Sequence, residues 1–199
     1  SDLSNITATD ETLLHSSITG VPGSYVENVI VKDLIFNSKG TGGMAEATAN
    51  PPEKVDSYPQ ANVVFGYSVP AYGMYLRHVK SVMLKNVVFN LLAPDARPAV
   101  VMDDCHHVRL NDFDVDVPTD DQPLVRVIQS TDITISGYQS IQPVSNFLRL
   151  EGDQCSDIKL VGNDFTGVEN VTTRTDGCPA SALKMLGNLP SGQETQPSE

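Results

Sequence analysis

A short pattern recurs along the chain, and its spacing limits the possible folds more than any other feature of the sequence. The pattern is a strand of alternating apolar residues, followed by Asn, Asp or Gly and a second apolar stretch. Its first apolar residues are 53, 26, 25 and 25 positions apart, at Val29, Val82, Val108, Ile133 and Ile158. Each unit contains another short apolar strand, and no helical periodicity lies between the strands. Repeats of about 25 residues built only from strands and turns are typical of a β-solenoid.

We therefore predict an all-β fold, a right-handed parallel β-helix (β-solenoid) with about 25 residues per coil. Leucine-rich repeats are disfavoured, because the regular Leu and Asn consensus of that class is absent. Asn and Gly tolerate the left-handed backbone conformation needed where a coil changes direction. The turn residues predicted on this ground are Asn86, Asn111 or Asp112, Gly137 and Gly162.

The spacing also predicts how the chain is divided. Residues 1–186 form one domain of β-helix coils, with a long loop insertion at 38–72 and a C-terminal cap. The step of 53 residues equals two units or one unit with an insertion, and the Gly-, Ala- and Pro-rich segment 38–52 favours the insertion. Residues 178–186 are predicted to form a short helix or strand that caps the last coil. Residues 187–199 are rich in Pro, Ser, Gln and Glu, which predicts a flexible tail.

Charge and cysteine content narrow the possible partners. Thirteen Lys and Arg against 25 Asp and Glu give a net charge of −12, which excludes nucleic acid and anionic membrane surfaces as partners. An exposed edge coil would allow an edge-mediated dimer. Cys105, Cys155 and Cys178 match no metal or redox spacing, and we predict neither cofactor nor metal. Whether Cys155 and Cys178 form a disulfide stays open.

Several segments resemble a known enzyme family. They include residues 52–60, Phe65-Gly66 and the stretch Pro-Ala-Tyr-Gly-Met-Tyr-Leu-Arg-His-Val-Lys at 70–80, with 18–23 and 27–29 upstream and 97–103 downstream. In this order they resemble bacterial members of glycoside hydrolase family 28, the polygalacturonase-like enzymes, over roughly residues 17–113. The resemblance implies a secreted or periplasmic bacterial protein that acts on pectin, and a poly- or oligosaccharide partner (galacturonan or rhamnogalacturonan).

The catalytic motifs of that family are absent from this chain. The family supplies its carboxylates from Asn-Thr-Asp, Asp-Asp, Gly-His-Gly and Arg-Ile-Lys motifs on successive coils, and inverting hydrolysis requires two such groups around the bond. Only Asp103-Asp104 resembles one of these motifs. We therefore predict no catalytic residue, and interpret Asp103 and Asp104 as solvated turn residues. Asp120 and Asp121 are interpreted in the same way.

His78, His106 and His107 are the histidines that could contribute to a metal site. His78 and His106 lie 28 residues apart, close to one coil. Stacked coils would bring them roughly into line, but a metal site needs a third ligand. Exposed or hydrogen-bonded turn histidines are the favoured interpretation.

The insertion holds the predicted substrate-binding residues. Tyr58, Tyr67 and Tyr72 offer ring faces for stacking on sugars, and Arg77 could pair with a uronate carboxylate. The alternative is that the insertion covers one flank of the helix and buries its tyrosines.

These observations predict the C-terminal β-helix portion of a pectin-degrading, polygalacturonase-like hydrolase that is inactive as this fragment. The alternatives are a non-catalytic carbohydrate-binding β-helix and a purely structural one.

Overall fold

The computed structural model describes residues 1–14, 16–57 and 60–190. They form a parallel β-solenoid of about 7 stacked turns with almost no helix (5%), which confirms the predicted fold class. The strands are β1 (Asp2–Asp10), β2 (Ser16–Thr19), β3 (Val26–Ser38), β4 (Met74–Leu91), β5 (Val100–Val115), β6 (Val125–Ile128), β7 (Thr131–Ser136), β8 (Val144–Glu151), β9 (Ser156–Val161), β10 (Val168–Thr175) and β11 (Leu183–Leu186). The helices are α1 (Met44–Ala47), α2 (Ala61–Val64) and a 3₁₀ turn (Ala180–Ala182). No helix in these ranges is long and apolar enough to cross a membrane.

The strand register explains the uneven repeat. Val29 of β3 pairs with Val82 of β4, and Val82 pairs with Val108 of β5, in parallel ladders. Because β3 and β4 are direct neighbours, the 53-residue step is one coil that carries an insertion. The next steps follow the predicted rhythm, since Val108 pairs with Ile133 and Ile133 with Ile158.

The coil corners are marked by rows of residues with positive φ. One row contains Asp33, Asn86, Asp112, Gly137, Gly162 and Gly187, with φ between 52° and 72°. This row confirms the predicted turn residues and selects Asp112 rather than Asn111. A second row contains Asn28, Ser81, His107, Asp132 and Asp157, and a third His78, Asp104 and Gln129. Gly adopts this conformation without a steric cost, and Asn and Asp adopt it more readily than most other residues, so these three types occupy most of the corner positions.

The core is built from rows of equivalent side chains. Val82, Val108, Ile133 and Ile158 are at most 1% exposed and stack along the axis. Aromatic rings pack against one another inside the later coils, where Phe147 lies 4.8 Å from Tyr138 and 4.8 Å from Phe165 between ring centroids. Burial of such rows supplies the main stabilisation of each coil.

Insertion residues cover the outer face of the sheet formed by β2, β4, β5 and β6. Val69 and Ala71 pack there on Tyr75 and Val101 as a small second core. Arg97, which is fully buried, pairs with Asp95 (Nη2 to Oδ2, 2.6 Å) and donates to the carbonyls of Leu13, Val69 and Ala71. The insertion is therefore attached to the coils by buried polar contacts as well as by apolar packing.

The C-terminal segment forms a further strand rather than a helix. β11 pairs with β9, so it extends the sheet at this end. Asn188, which falls inside the predicted tail, is buried and accepts a hydrogen bond from the Asn163 backbone N–H (2.9 Å). Residues 191–199 lie outside the described residues, and their flexibility stays a prediction.

The three cysteines are free thiols in the structure. Burial and the neighbouring Cys155 thiol raise the pKa of Cys178 to about 12. Cys155 and Cys178, whose pairing the sequence leaves open, are therefore neighbours, and they are not bonded to each other.

Candidate functional site

The candidate site lies at the coil corner where β4 and β5 turn. Arg77 pairs with Asp103 in the ladder, and His78 (φ 49°) is followed one coil later by Asp104 (φ 48°). Stacking of the coils thus places the Arg77 and His78 side chains next to the Asp103 and Asp104 carboxylates of the following coil. Glu53, from the insertion, reaches the same corner and contacts both Arg77 and His78.

Asp103 is held by two neighbours on β4. Arg77 Nε lies 3.2 Å from Asp103 Oδ2, and the Tyr75 hydroxyl donates to the same oxygen at 3.3 Å. Burial raises the pKa of Asp103, although Arg77 partly offsets this effect. Asp103 is only 8% exposed, so its interpretation as a solvated turn residue is wrong. Asp103 lies on the outer face beneath Arg77, which is bonded to Pro51 and Glu53 of the insertion, and the sequence pattern does not reveal this cover.

Asp104 accepts hydrogen bonds from three side chains. The Tyr25 hydroxyl donates to Oδ2 at 2.8 Å, His78 Nδ1 lies 2.7 Å from Oδ2, and His106 Nε2 lies 3.2 Å from Oδ1. Burial alone would raise the pKa of Asp104, but hydrogen bonds from His78 and Tyr25 outweigh it, and the pKa is lowered. Asp104 is a corner residue as predicted, yet it is partly buried and bonded rather than solvated.

The two histidines interpreted as turn residues do meet. His78 and His106 contact the same Asp104 carboxylate, and His78 also contacts Glu53 (Nε2 to Oε1, 3.0 Å). Both are hydrogen-bonded, as expected, but His78 is only 5% exposed. Within residues 1–14, 16–57 and 60–190, no group of three His, Cys, Asp or Glu side chains is arranged to hold a metal ion.

These contacts give the corner carboxylates a supporting role. Each accepts bonds from side chains of the preceding coils, and Glu53 joins the insertion to the same network. Asp120 and Asp121 lie in an exposed turn with φ of 58° and 53°, as predicted.

A cavity of about 410 Å³ opens beside Arg77, between the upstream coil and the insertion. Its size falls in the range of small-molecule sites. Its walls include the aromatic ring of Phe65, the ammonium group of Lys54 and hydroxyl groups, which are those of Ser17, Thr19 and Ser57. The one carboxylate among the described lining residues, Glu53, is paired with Arg77. Lys54 Nζ donates to the Val63 carbonyl at 2.8 Å, which holds the ammonium group near the cavity. A ring face with hydroxyls and a cation matches the surface of an acidic sugar.

The four predicted substrate-binding residues have different positions. Tyr58 lies outside the described residues. Tyr67 is 92% exposed and does not line the cavity. Tyr72 is fully buried, and its hydroxyl donates to the Asp116 carbonyl at 2.5 Å, so it has no ring face free for a sugar.

Among the three of these residues that the structure describes, Arg77 is the one that lines the cavity. Its guanidinium is paired with Glu53 and Asp103 and donates to the Pro51 carbonyl at 2.7 Å. Arg77 therefore shapes the cavity wall rather than offering a free cation to a ligand.

The other lining residues were not predicted from the sequence to bind a substrate. Ser17 and Thr19 lie beside Tyr75 and Arg77 through a ladder offset of 58 residues. This offset includes the insertion, so the repeat spacing could not have paired these residues. Phe65 belongs to one of the segments that resemble the hydrolase family, but no feature of the sequence identified it as a binding residue.

No family model, curated protein or solved structure matches this chain. Support for a function therefore comes from the cavity and its lining residues.

Proposed function

We propose that the chain is the C-terminal β-helix portion of a secreted or periplasmic, polygalacturonase-like glycoside hydrolase that acts on pectin. In this proposal the fragment binds acidic oligosaccharide in the cavity beside Arg77 and does not cleave it. The intact protein would hydrolyse a galacturonosyl or related bond with carboxylates from other coils.

The observation that carries the proposal is that the resembling segments meet at one cavity. Thr19 belongs to the segment 18–23, Lys54 to 52–60, Phe65 to 65–66 and Arg77 to 70–80, and all four line the cavity. These segments are far apart in sequence. Their meeting around one small-molecule-sized space supports a shared binding role.

Each wall has a defined part in this binding. Phe65, whose ring packs edge-on against Tyr75 (centroids 5.7 Å apart), is a supported apolar surface for a sugar ring. The Ser17 and Thr19 hydroxyls exchange hydrogen bonds with sugar hydroxyls. Lys54 pairs with a uronate carboxylate, and this local charge acts against the overall charge of −12.

The expected lack of cleavage follows from the state of the carboxylates. Hydrolysis requires an acid that protonates the leaving oxygen and a second carboxylate that activates water or attacks. Asp103 is buried beneath Arg77, and Asp104 is bonded to His78 and Tyr25. Neither is therefore poised for that chemistry.

Isothermal titration with trigalacturonate, followed by chromatography of the mixture, tests the proposal. We expect binding without new products. Lys54→Gln should weaken binding about tenfold through loss of a charge-assisted bond, whereas Lys85→Gln, an exposed lysine on another face, should not. Cleavage would contradict the inactive assignment. No binding, or equal effects of the two substitutions, would leave a structural solenoid as the better interpretation.

A further inference from the structure

A second groove lies on the same outer face, next to the edge of the insertion. The ladder aligns Tyr75, Val101, Arg126, Arg149 and Thr173 in one outward row. Insertion residues pack on Tyr75 and Val101, and the carbonyls of Ala47 and Ala49 accept bonds from Arg126 Nη1 at 3.4 and 3.3 Å. Arg149 is therefore the first residue of this row without the insertion above it.

The groove at this position has a volume of about 460 Å³. Most of its walls are polar side chains of β6, β8 and β10, and the lining residues are Arg126, Asn146, Arg149, Glu151, Thr173, Thr175 and Asp176. This volume is within the range of small-molecule sites. Because the strands supply most of the walls, the side chains are fixed by the ladder rather than by a loop.

The charges in the groove leave one cation without a counterion. Glu151 is neutralised by Arg126 in a two-pronged pair, with Oε1 2.5 Å from Nε and Oε2 2.8 Å from Nη2. Arg149, by contrast, makes no hydrogen bond or ion pair with any residue in the described ranges. At the rim, Asp176 accepts a bond from the Thr175 hydroxyl at 3.1 Å.

Arg149 is also partly removed from water. Burial lowers the pKa of its guanidinium, the nearby Glu151 raises it, and the neighbouring Arg126 lowers it further. A half-buried cation next to another arginine is stabilised by any anion that enters the groove. Guanidinium groups bind carboxylates with two parallel hydrogen bonds, and this geometry suits a planar carboxylate.

We propose that this groove binds a hexuronate unit of an acidic oligosaccharide, with its carboxylate on Arg149. The Thr173 hydroxyl and the Asn146 side chain lie beside it to bond sugar hydroxyls. Four ladder steps separate Ser17 from Arg149, or roughly 19 Å at about 4.8 Å per strand, so this groove is distinct from the cavity beside Arg77. The proposal rests on the proposed function for its ligand class only, because no lining residue is shared.

Backbone amide signals of Thr173 and Thr175 in ¹H–¹⁵N spectra, titrated with digalacturonate, test this site directly. We expect these signals to shift with digalacturonate and not with the neutral galactose disaccharide. Arg149→Gln should weaken the affinity for digalacturonate, obtained from these shifts, about tenfold, because a charge-assisted bond is lost. Arg149→Lys should retain part of this affinity. Arg109→Gln removes an equal charge from another sheet and should change nothing.

The outcomes separate the two sites. Unmoved Thr173 and Thr175 signals, equal responses to acidic and neutral sugar, or equal effects of Arg149→Gln and Arg109→Gln would each overturn the groove. If Lys54→Gln does not change trigalacturonate binding but Arg149→Gln abolishes the Thr173 and Thr175 shifts, the groove proposal is supported and the cavity proposal is refuted. Arg149 makes no hydrogen bond within the described residues, so its substitution should leave thermal unfolding unchanged and keep the test interpretable.

Discussion

Replacing Arg97 with Met should destabilise the protein strongly, because the side chain is both buried and fully engaged. Arg97 and Asp95 are each 0% exposed at the side chain, and their closest atoms are 2.6 Å apart. The substitution leaves the Asp95 carboxylate buried without its cation. It also removes the donor that bonds the carbonyls of Leu13, Val69 and Ala71.

The magnitude follows from the cost of breaking a buried ion pair. Removing one partner of such a pair costs about 3–5 kcal/mol. Small domains have a free energy of unfolding of about 5–15 kcal/mol, so this is a large fraction of the total. With a urea slope of about 2–3 kcal/mol per molar, we expect the midpoint to fall by about 1–2.5 M.

Urea unfolding followed by far-ultraviolet circular dichroism measures this change. Arg109→Met, at an exposed position, is the matched control and should stay within about 0.5 kcal/mol of the parent protein. The double variant Asp95→Asn with Arg97→Met should lose less than the sum of the single changes, by about 0.5–3 kcal/mol. A midpoint for Arg97→Met within 0.3 M of the parent would refute the buried-pair argument.

Two further predictions test the corners. The lowered pKa of Asp104 means that its contribution to stability is present above its unfolded value and is lost as pH falls through the folded value. Asp104→Asn should therefore reduce the loss of urea midpoint between pH 5 and 3; an unchanged slope would exclude this contribution. Gly137 has φ 72°, and an added Cβ would lie 2.3 Å from Asp112 Oδ1, whereas Gly162 has φ 62° and open space. Gly137→Ala should lower thermal stability more than Gly162→Ala, which itself costs about 1–2 kcal/mol; equal losses would show that backbone strain alone matters.

Most of the fold could be predicted because the repeat depends on local chemistry. A period near 25 residues, alternating apolar positions and Asn, Asp or Gly at the turns all arise within one coil. Val82, Val108, Ile133 and Ile158 could therefore be aligned from the sequence, and the structure stacks them in one row. Local sequence patterns were sufficient to predict the strand alignment wherever the repeat spacing was constant.

The candidate site was harder to predict because it depends on contacts across the insertion. Phe65 and Lys54 meet Ser17 and Thr19 only after the insertion folds back on the sheet. Tyr72 carried the same aromatic signal as a sugar-binding residue, yet its ring is in the core. Composition alone does not distinguish a tyrosine that faces a ligand from one that faces the coils.

The backbone conformation at the corners explains why the roles of the Asp and His residues could not be assigned from the sequence. A left-handed corner favours Asp, Asn and Gly for backbone reasons alone, so Asp33, Asp112 and Asp157 need no ligand to justify them. Asp104 occupies the same kind of position, but stacking brings His78 and His106 onto its carboxylate. Arg149 is different, because it lies within β8, where no turn requirement selects arginine, and because it forms no ion pair or hydrogen bond with a described residue. In this fold, a strand residue with an unsatisfied charge is therefore a stronger indication of ligand binding than a charged residue at a corner.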